Sequence, residues 1–190
     1  MKFDVVIIGG GLAGMTAATK LQEAGLKCAV VAKGLSLHNI SRKPFVQKGG
    51  MMFAGDTAVR GEFSGDRLVR IWTEKLGSMA LEADSFVLAS GKFFAGGLVA
   101  DMDKVYEPLF GLDVQYNEER STWFSSSFAD HQGFLEFGVK TDDAHAVKDG
   151  KSIANLFPAG EILAGISGSE GDAEDAIVES AVKVSQKIIG

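Results

Sequence analysis

The stretch "FDVVIIGGGLAG", Phe3 to Gly14, constrains the fold more than any other part of the chain. An apolar run rich in β-branched residues stops abruptly at glycines, as a strand buried on both faces does. "LAGMTAATKLQEAG" follows, with Leu12, Met15, Ala18 and Leu21 at helical spacing and Gly25 as the stop. "KCAVVAK" is a second short buried strand, which completes a βαβ unit. In that setting Gly9-x-Gly11-x-x-Gly14 is a dinucleotide fingerprint rather than a chance spacing. Gly9 allows a tight turn, Gly11 lets a pyrophosphate approach the backbone, and Gly14 lets helix and strand pack closely. The helix N-terminus at Leu12 and Ala13 offers free N–H groups and a partial positive charge to the phosphates.

The next expected piece is missing. An acid at the end of the second strand ordinarily accepts a hydrogen bond from the adenosine ribose. Here the place reads "VVAKG", with Ala32 where the carboxylate belongs and Lys33 beside it. Four readings stay open: weaker adenosine binding, a phosphate near Lys33, a cofactor without an adenosine half, or Lys33 as an ordinary surface lysine.

From Gly49 the pattern changes to short runs broken by Gly55-Asp56 and Gly65-Asp66. Val69, Ile71 and Thr73 alternate with Arg70 and Trp72, which predicts a half-solvated strand within a small three-stranded meander. "SFVLAS" returns to the buried parallel pattern and ends at Gly91; Lys92 to Asp149 reads as loops with short strands. Four aromatics there, Phe124, Phe128, Phe134 and Phe137, argue against disorder. "SIANLFPAG" is another short strand, and "DAEDAIVESAVKVSQKII" a closing helix. Asp172 is its expected N-cap, Asp175 lies in its first turn, and Ile177, Ala181, Val184 and Ile188 form its apolar stripe.

These elements predict an α/β architecture: a Rossmann-type FAD/NAD(P)-binding domain, a doubly wound parallel sheet with a β-meander, single over residues 1–190. The 190-residue length fits one domain. A net charge of −6 argues against nucleic acid, and the single Cys28 excludes an internal disulfide or a cysteine-cluster metal site. No apolar run approaches the roughly 18 residues of a membrane span. The expected location is cytoplasmic, with any membrane link made through partners.

Three ordered elements favour a flavoprotein over a simple nicotinamide dehydrogenase: the meander, "FVLASG" ending at Gly91, and "IANLFPAGEI". The last resembles the late strand of flavoproteins whose Ala-Gly-acid end, here Ala159, Gly160 and Glu161 with Ile162 directly after, lies along the ribityl chain and pyrophosphate. In such proteins the following loop, here Ile166 to Asp172, and the last helix's N-terminus cover the flavin pyrimidine edge.

The resemblance then sharpens. "FDVVIIGGGLAGMTAATKLQEAGLKCAVVAKG", "FVLASGKFFAGGLVADMDKVYEPLFGLDV" and "FGVKTDD…NLFPAGEILAG" resemble the B subunit of anaerobic glycerol-3-phosphate dehydrogenase. The resemblance implies FAD, with FMN as the alternative, and two partners, the A (flavoprotein) and C (membrane-associated iron–sulfur) subunits of the same complex. It implies oxidation of glycerol 3-phosphate to dihydroxyacetone phosphate, with electrons passed to a respiratory chain under anaerobic conditions. Members of that family continue after "GLSLHNIS" with a long segment, whereas here Ser41 runs at once into "RKPFVQKGG". A substrate or cap domain is therefore expected to be absent at a junction near residues 40–46. That leaves two further readings: a dinucleotide-binding module or assembly fragment without catalysis, and a small NAD(P)-binding dehydrogenase.

Among the remaining residues His131, flanked by aromatics, is the best polar candidate near a flavin, and His38 lies beside the junction. His145 reads as exposed and Asp142-Asp143 as a solvated turn. Met51-Met52 and Phe93-Phe94 read as core, and neither Trp72 nor Trp123 is evidence of cofactor stacking. No catalytic residue is assigned and no metal is expected.

Overall fold

The computed structural model describes residues 1–34, 42–127, 129–167 and 173–190. His38, the first residues of the junction (40 and 41), Phe128 and Asp172 lie outside the described residues.

The opening unit forms as the pattern demands: β1 (Lys2–Ile8), α1 (Leu12–Glu23) and β2 (Cys28–Ala32), with β1 parallel to β2. All five residues of β2 are buried, as a central parallel strand requires. The helix turns off at Ala24, and Gly25 follows with φ +89, a conformation costly for any residue with a Cβ.

A short helix α2 (Arg42–Gln47) leads into β3 (Met51–Ala54), which lies parallel to β2. This corrects one expectation, since "MMFA" belongs to the parallel sheet and not to the meander. Phe45 anchors α2: it is buried, its ring fills the space a Cβ on Gly50 would need, and its carbonyl accepts Gln22 Nε2 at 3.0 Å.

The meander is β4 (Ala58–Ser64), β5 (Arg67–Thr73) and the beginning of β6 (Leu81–Leu88). The last of these does two jobs. Its first residues pair antiparallel with β5, while its length pairs parallel with β1 and its end pairs parallel with β7 (Leu156–Pro158). The parallel strands therefore run β3-β2-β1-β6-β7, with the meander leaving the sheet at β6. The closing helix α3 (Ala173–Ile189) buries Ile177, Ala181 and Val184, carries Asp175 in its first turn, and packs against α1.

Two apolar layers flank the sheet. On one face Val5, Ile7, Val30 and Val87 meet α1, α3 and Phe45. On the other, Val6, Ile8, Val31 and Phe86 meet the meander and the irregular segment, through Leu68, Ile71, Leu98, Phe110 and Trp123. Between residues 92 and 149 the strands are short ladders, such as Val99–Ala100 with Val105–Tyr106 and Val114–Gln115 with Gly138–Val139. An aromatic cluster of Tyr116, Trp123 and Phe137, all edge-to-face, orders this stretch without regular secondary structure. Asn155, buried, stitches the layers by accepting from Leu68 N and donating to the carbonyls of Leu68 and Asp84.

Candidate functional site

The C-terminal ends of the parallel strands open onto a cleft of about 800 Å³, the position at which open α/β sheets bind ligands. The three fingerprint glycines meet it in different ways. Gly9 has φ +114, and a Cβ there would stand 2.0 Å from Ala89 O, so β6 approaches too closely for any side chain. A Cβ on Gly14 would stand 2.0 Å from Gly9 O, which fixes α1 against the turn leaving β1. Gly11 meets nothing within 4 Å and its empty side faces the cleft. It is also the N-cap of α1, with no side-chain cap and no acid in the first turn. The N-terminal donors of a 12-residue helix thus stay open to an anion.

Leu12, Ala13, Lys33, Gly91 and Glu161 line the same cleft. Gly14 lies behind it, Ala32 is buried against Gly10, and Ile162 is fully buried in the core. Gly160, with φ +79, packs its Cα against Ala13: an added Cβ would be 2.6 Å from Ala13 Cβ. Its N–H donates to Ser180 Oγ at 2.8 Å, so α3, β7 and α1 are locked together beneath the cleft. Gly91, with φ +68, faces Glu161, whose Oε2 would lie 3.8 Å from a Cβ placed there. Next to it Ser90 Oγ is buried without a hydrogen-bond partner while its residue lines the cleft. The first described turn of α3 closes the same side through Ala173, Glu174 and Ile177.

Two carboxylates in the wall had no assignment in sequence. Asp56 is buried and follows β3, where Gly55 N and Asp56 N donate to Ala32 O at 2.7 and 3.2 Å. Its carboxylate accepts Thr73 Oγ1 at 2.6 Å, Thr57 N at 2.8 Å and Lys75 N at 2.9 Å. Burial alone would raise its pKa; the three hydrogen bonds outweigh it and hold the group below the ordinary 3.8. Glu107 is 2% exposed and accepts Leu109 N at 2.9 Å and Phe110 N at 2.8 Å. Here burial wins over the backbone donors, and the carboxyl is pushed above its ordinary 4.5. Both acids sit beside a turn signal, Gly55 before one and Pro108 after the other, but their burial depends on distant packing.

Other expectations change. His131 is exposed, 3.6 Å from Glu136, and lies outside the cleft lining. His145, expected to be exposed, is half-buried and tilted over Phe157 at 4.7 Å, because the turn carrying it folds onto β7. Phe93 packs edge-to-face on Phe134, but Phe94 is fully exposed at the cleft rim, since the tight turn around it points successive side chains apart. Met51, read as core, is 42% exposed because β3 is the sheet's edge strand. The Lys92 ammonium is buried and donates to Leu135 O; desolvation lowers its pKa, partly offset by Glu136 and Glu161.

Sheet order, glycine turn and cleft together define a Rossmann-type dinucleotide-binding domain of the flavoprotein kind. The myxobacterial chondrochloren halogenase shares the fold, with a TM-score of 0.63 at 10% identity over 99% of this chain and 74% of that one. The thioredoxin reductase of T. acidophilum gives 0.59 at 11% identity over 99% of this chain and 98% of its own. The FAD binding domain family matches residues 4–41 and 36–171, and the chain belongs to that family. Among curated proteins it is 39% identical over 163 residues to the B subunit of anaerobic glycerol-3-phosphate dehydrogenase from Mannheimia succiniciproducens, covering 82% of this chain and 38% of that protein. The corresponding protein of Aliivibrio fischeri is 38% identical over 170 residues, covering 82% and 37%. The chain thus spans well under half the length of the curated relatives it matches.

The residues present fit FAD. The unpaired N-terminus of α1, the open side of Gly11 and the partnerless Ser90 Oγ supply donors along one wall, and Glu161 supplies an acceptor. No helix among the described residues is long and apolar enough to cross a membrane.

Proposed function

We propose that this chain is the flavin-binding part of a glycerol 3-phosphate dehydrogenase, oxidising its substrate to dihydroxyacetone phosphate. The observation that carries the cofactor half is the open Gly11 edge at an uncapped helix N-terminus, in a cleft shared with Gly91 and Glu161. Gly11, Leu12 and Ala13 would hold the pyrophosphate, and Gly91 and Glu161 the ribityl side, with Gly160 supporting them from beneath the cleft. Gly9, Gly14, Ala32 and Ile162 shape the backbone around them. Lys33 stands exposed at the adenosine end. When bound, the flavin supplies the two-electron acceptor. The protein's part is to orient it and to offer helix N-terminal charge to its reduced, anionic form.

The substrate half rests on the likeness to the dehydrogenase B subunits. With it come the proposed partners, the A (flavoprotein) and C (iron–sulfur) subunits, and a position at the inner face of the membrane through them. The two matched stretches, 4–41 and 36–171, overlap at 36–41, beside the junction expected near 40–46, and support an absent cap domain there. That length difference favours the second reading, a module that binds flavin without turnover, because an uncapped flavin face is open to water. Dye reduction by the reconstituted chain with glycerol 3-phosphate decides between them. Turnover supports the first reading, and flavin binding without turnover supports the second.

A further inference from the structure

The adenosine end of the cleft lies at the end of β2, where Ala32 replaces the acid that ordinarily holds the ribose. Neither wall carboxylate substitutes for it. Asp56 and Glu107 are both buried, and every one of their four carboxylate oxygens already accepts at least one protein donor. What the cleft does offer is apolar surface from two segments of the chain. Asp56 to Val59 continue from the turn bonded to Ala32 O, and Val59 is 54% exposed while lining the cleft. On a second segment Pro108 is exposed and Leu109 half-buried, and both line the same cleft.

The second side is not a loose loop. Glu107 gathers the N–H groups of Leu109 and Phe110 into a tight turn. The Phe110 ring occupies the space above Gly61, 2.5 Å from where a Cβ would be, and meets Phe63 edge-to-face at 5.9 Å. Lys148 Nζ donates to Phe110 O. The turn is therefore fastened to β4, the strand that carries Val59, and a planar apolar ligand group between the two sides needs little reorganisation.

We propose that Val59 on one side and Pro108-Leu109 on the other clamp the adenine ring, so that this chain grips the adenosine half by its base rather than its ribose. The inference rests on the flavin reading, and it implies that FAD is distinguished from FMN here.

The test compares FAD, FMN and ADP binding, by flavin fluorescence and calorimetry, in the wild-type chain and in Leu109→Ser and Val59→Ser. Val59 is on an exposed strand position, so its variant keeps the test alive should Leu109→Ser fold poorly. Losing one apolar wall should weaken FAD and ADP by about tenfold each, with FMN unchanged. FAD affinity unchanged in both variants, or FMN weakened by the same factor as FAD, overturns the clamp. A wild-type chain that binds neither flavin removes the flavin reading. In that case ADP decides: binding that both variants weaken sustains the clamp, and no binding or unaltered binding ends it.

Discussion

Alanine at each fingerprint glycine separates fold from cofactor binding. A Cβ at Gly9 or Gly14 would sit 2.0 Å from a backbone oxygen, and Gly9 also has φ +114. Backbone cannot move aside as a flexible side chain can. Overpacking costs about 1–3 kcal/mol and residence in a sparsely populated backbone region about as much again. Gly9→Ala should lose roughly 3 kcal/mol or more, and Gly14→Ala nearly that. For a domain of this size that lowers Tm by roughly 6–12 °C. Gly11→Ala is different. Its backbone is extended at φ −76 and ψ −169, and nothing stands within 4 Å of the new methyl. The cofactor-free protein should keep its stability to within about 1 kcal/mol. Its methyl, however, stands where a phosphate must approach the α1 donors. Losing one charge-assisted hydrogen bond of about 1.5–3 kcal/mol predicts roughly ten- to hundredfold weaker FAD binding. Thermal unfolding of the cofactor-free proteins and fluorescence titration with FAD read the two effects separately. Wild-type FAD affinity in Gly11→Ala would refute the placement of the pyrophosphate, and an unchanged Tm in Gly9→Ala would refute the close approach of β6.

The wall carboxylates predict opposite pH behaviour. Asp56 has a folded pKa below its ordinary 3.8, so its stabilisation is present above that value and lost as pH falls through the lower one. Asp56→Ala should flatten the acid-side fall in urea midpoint while costing about 2–4 kcal/mol in lost hydrogen bonds. Glu107 has a folded pKa above its ordinary 4.5, so its contribution is full below 4.5 and declines as pH rises from there through the folded value. Glu107→Gln should remove that decline, and identical pH profiles for wild type and variant would contradict the assignment. Burial first, then the charge of Asp4, pushes the Cys28 thiol up from 9.0 to about 12. It should resist alkylation at neutral pH until the chain unfolds, and rapid labelling of the native protein would show the strand to be open.

The parts of this fold that were legible in sequence are those where local pattern and tertiary role coincide. Phe3–Gly14 must be a buried strand, glycine turn and helix, because no other structure suits that run of residues. The stripe of α3 was likewise visible at its own period. β3 was not, since four residues such as "MMFA" carry no period long enough to tell a parallel edge strand from a hairpin arm. Asp56 and Glu107 were hidden for another reason. Asp56 accepts one N–H from its own turn and Glu107 two, so each looks like any solvated acid until distant contacts form, Thr73 and Lys75 on Asp56 and the packing of neighbouring Phe110 over Gly61 beside Glu107. The Phe93-Phe94 pair shows the same limit, because only the loop's path decides which ring packs on Phe134 and which stands in solvent.

Whether this chain carries FAD is tested most directly by purifying the protein, recording its visible spectrum, and identifying and counting what acid releases. FAD is added beforehand if the protein emerges colourless. A flavin band and one FAD per chain are the expected result. A protein that stays colourless and folded after incubation with FAD in molar excess, and releases no flavin, would contradict everything built on the Gly11 edge.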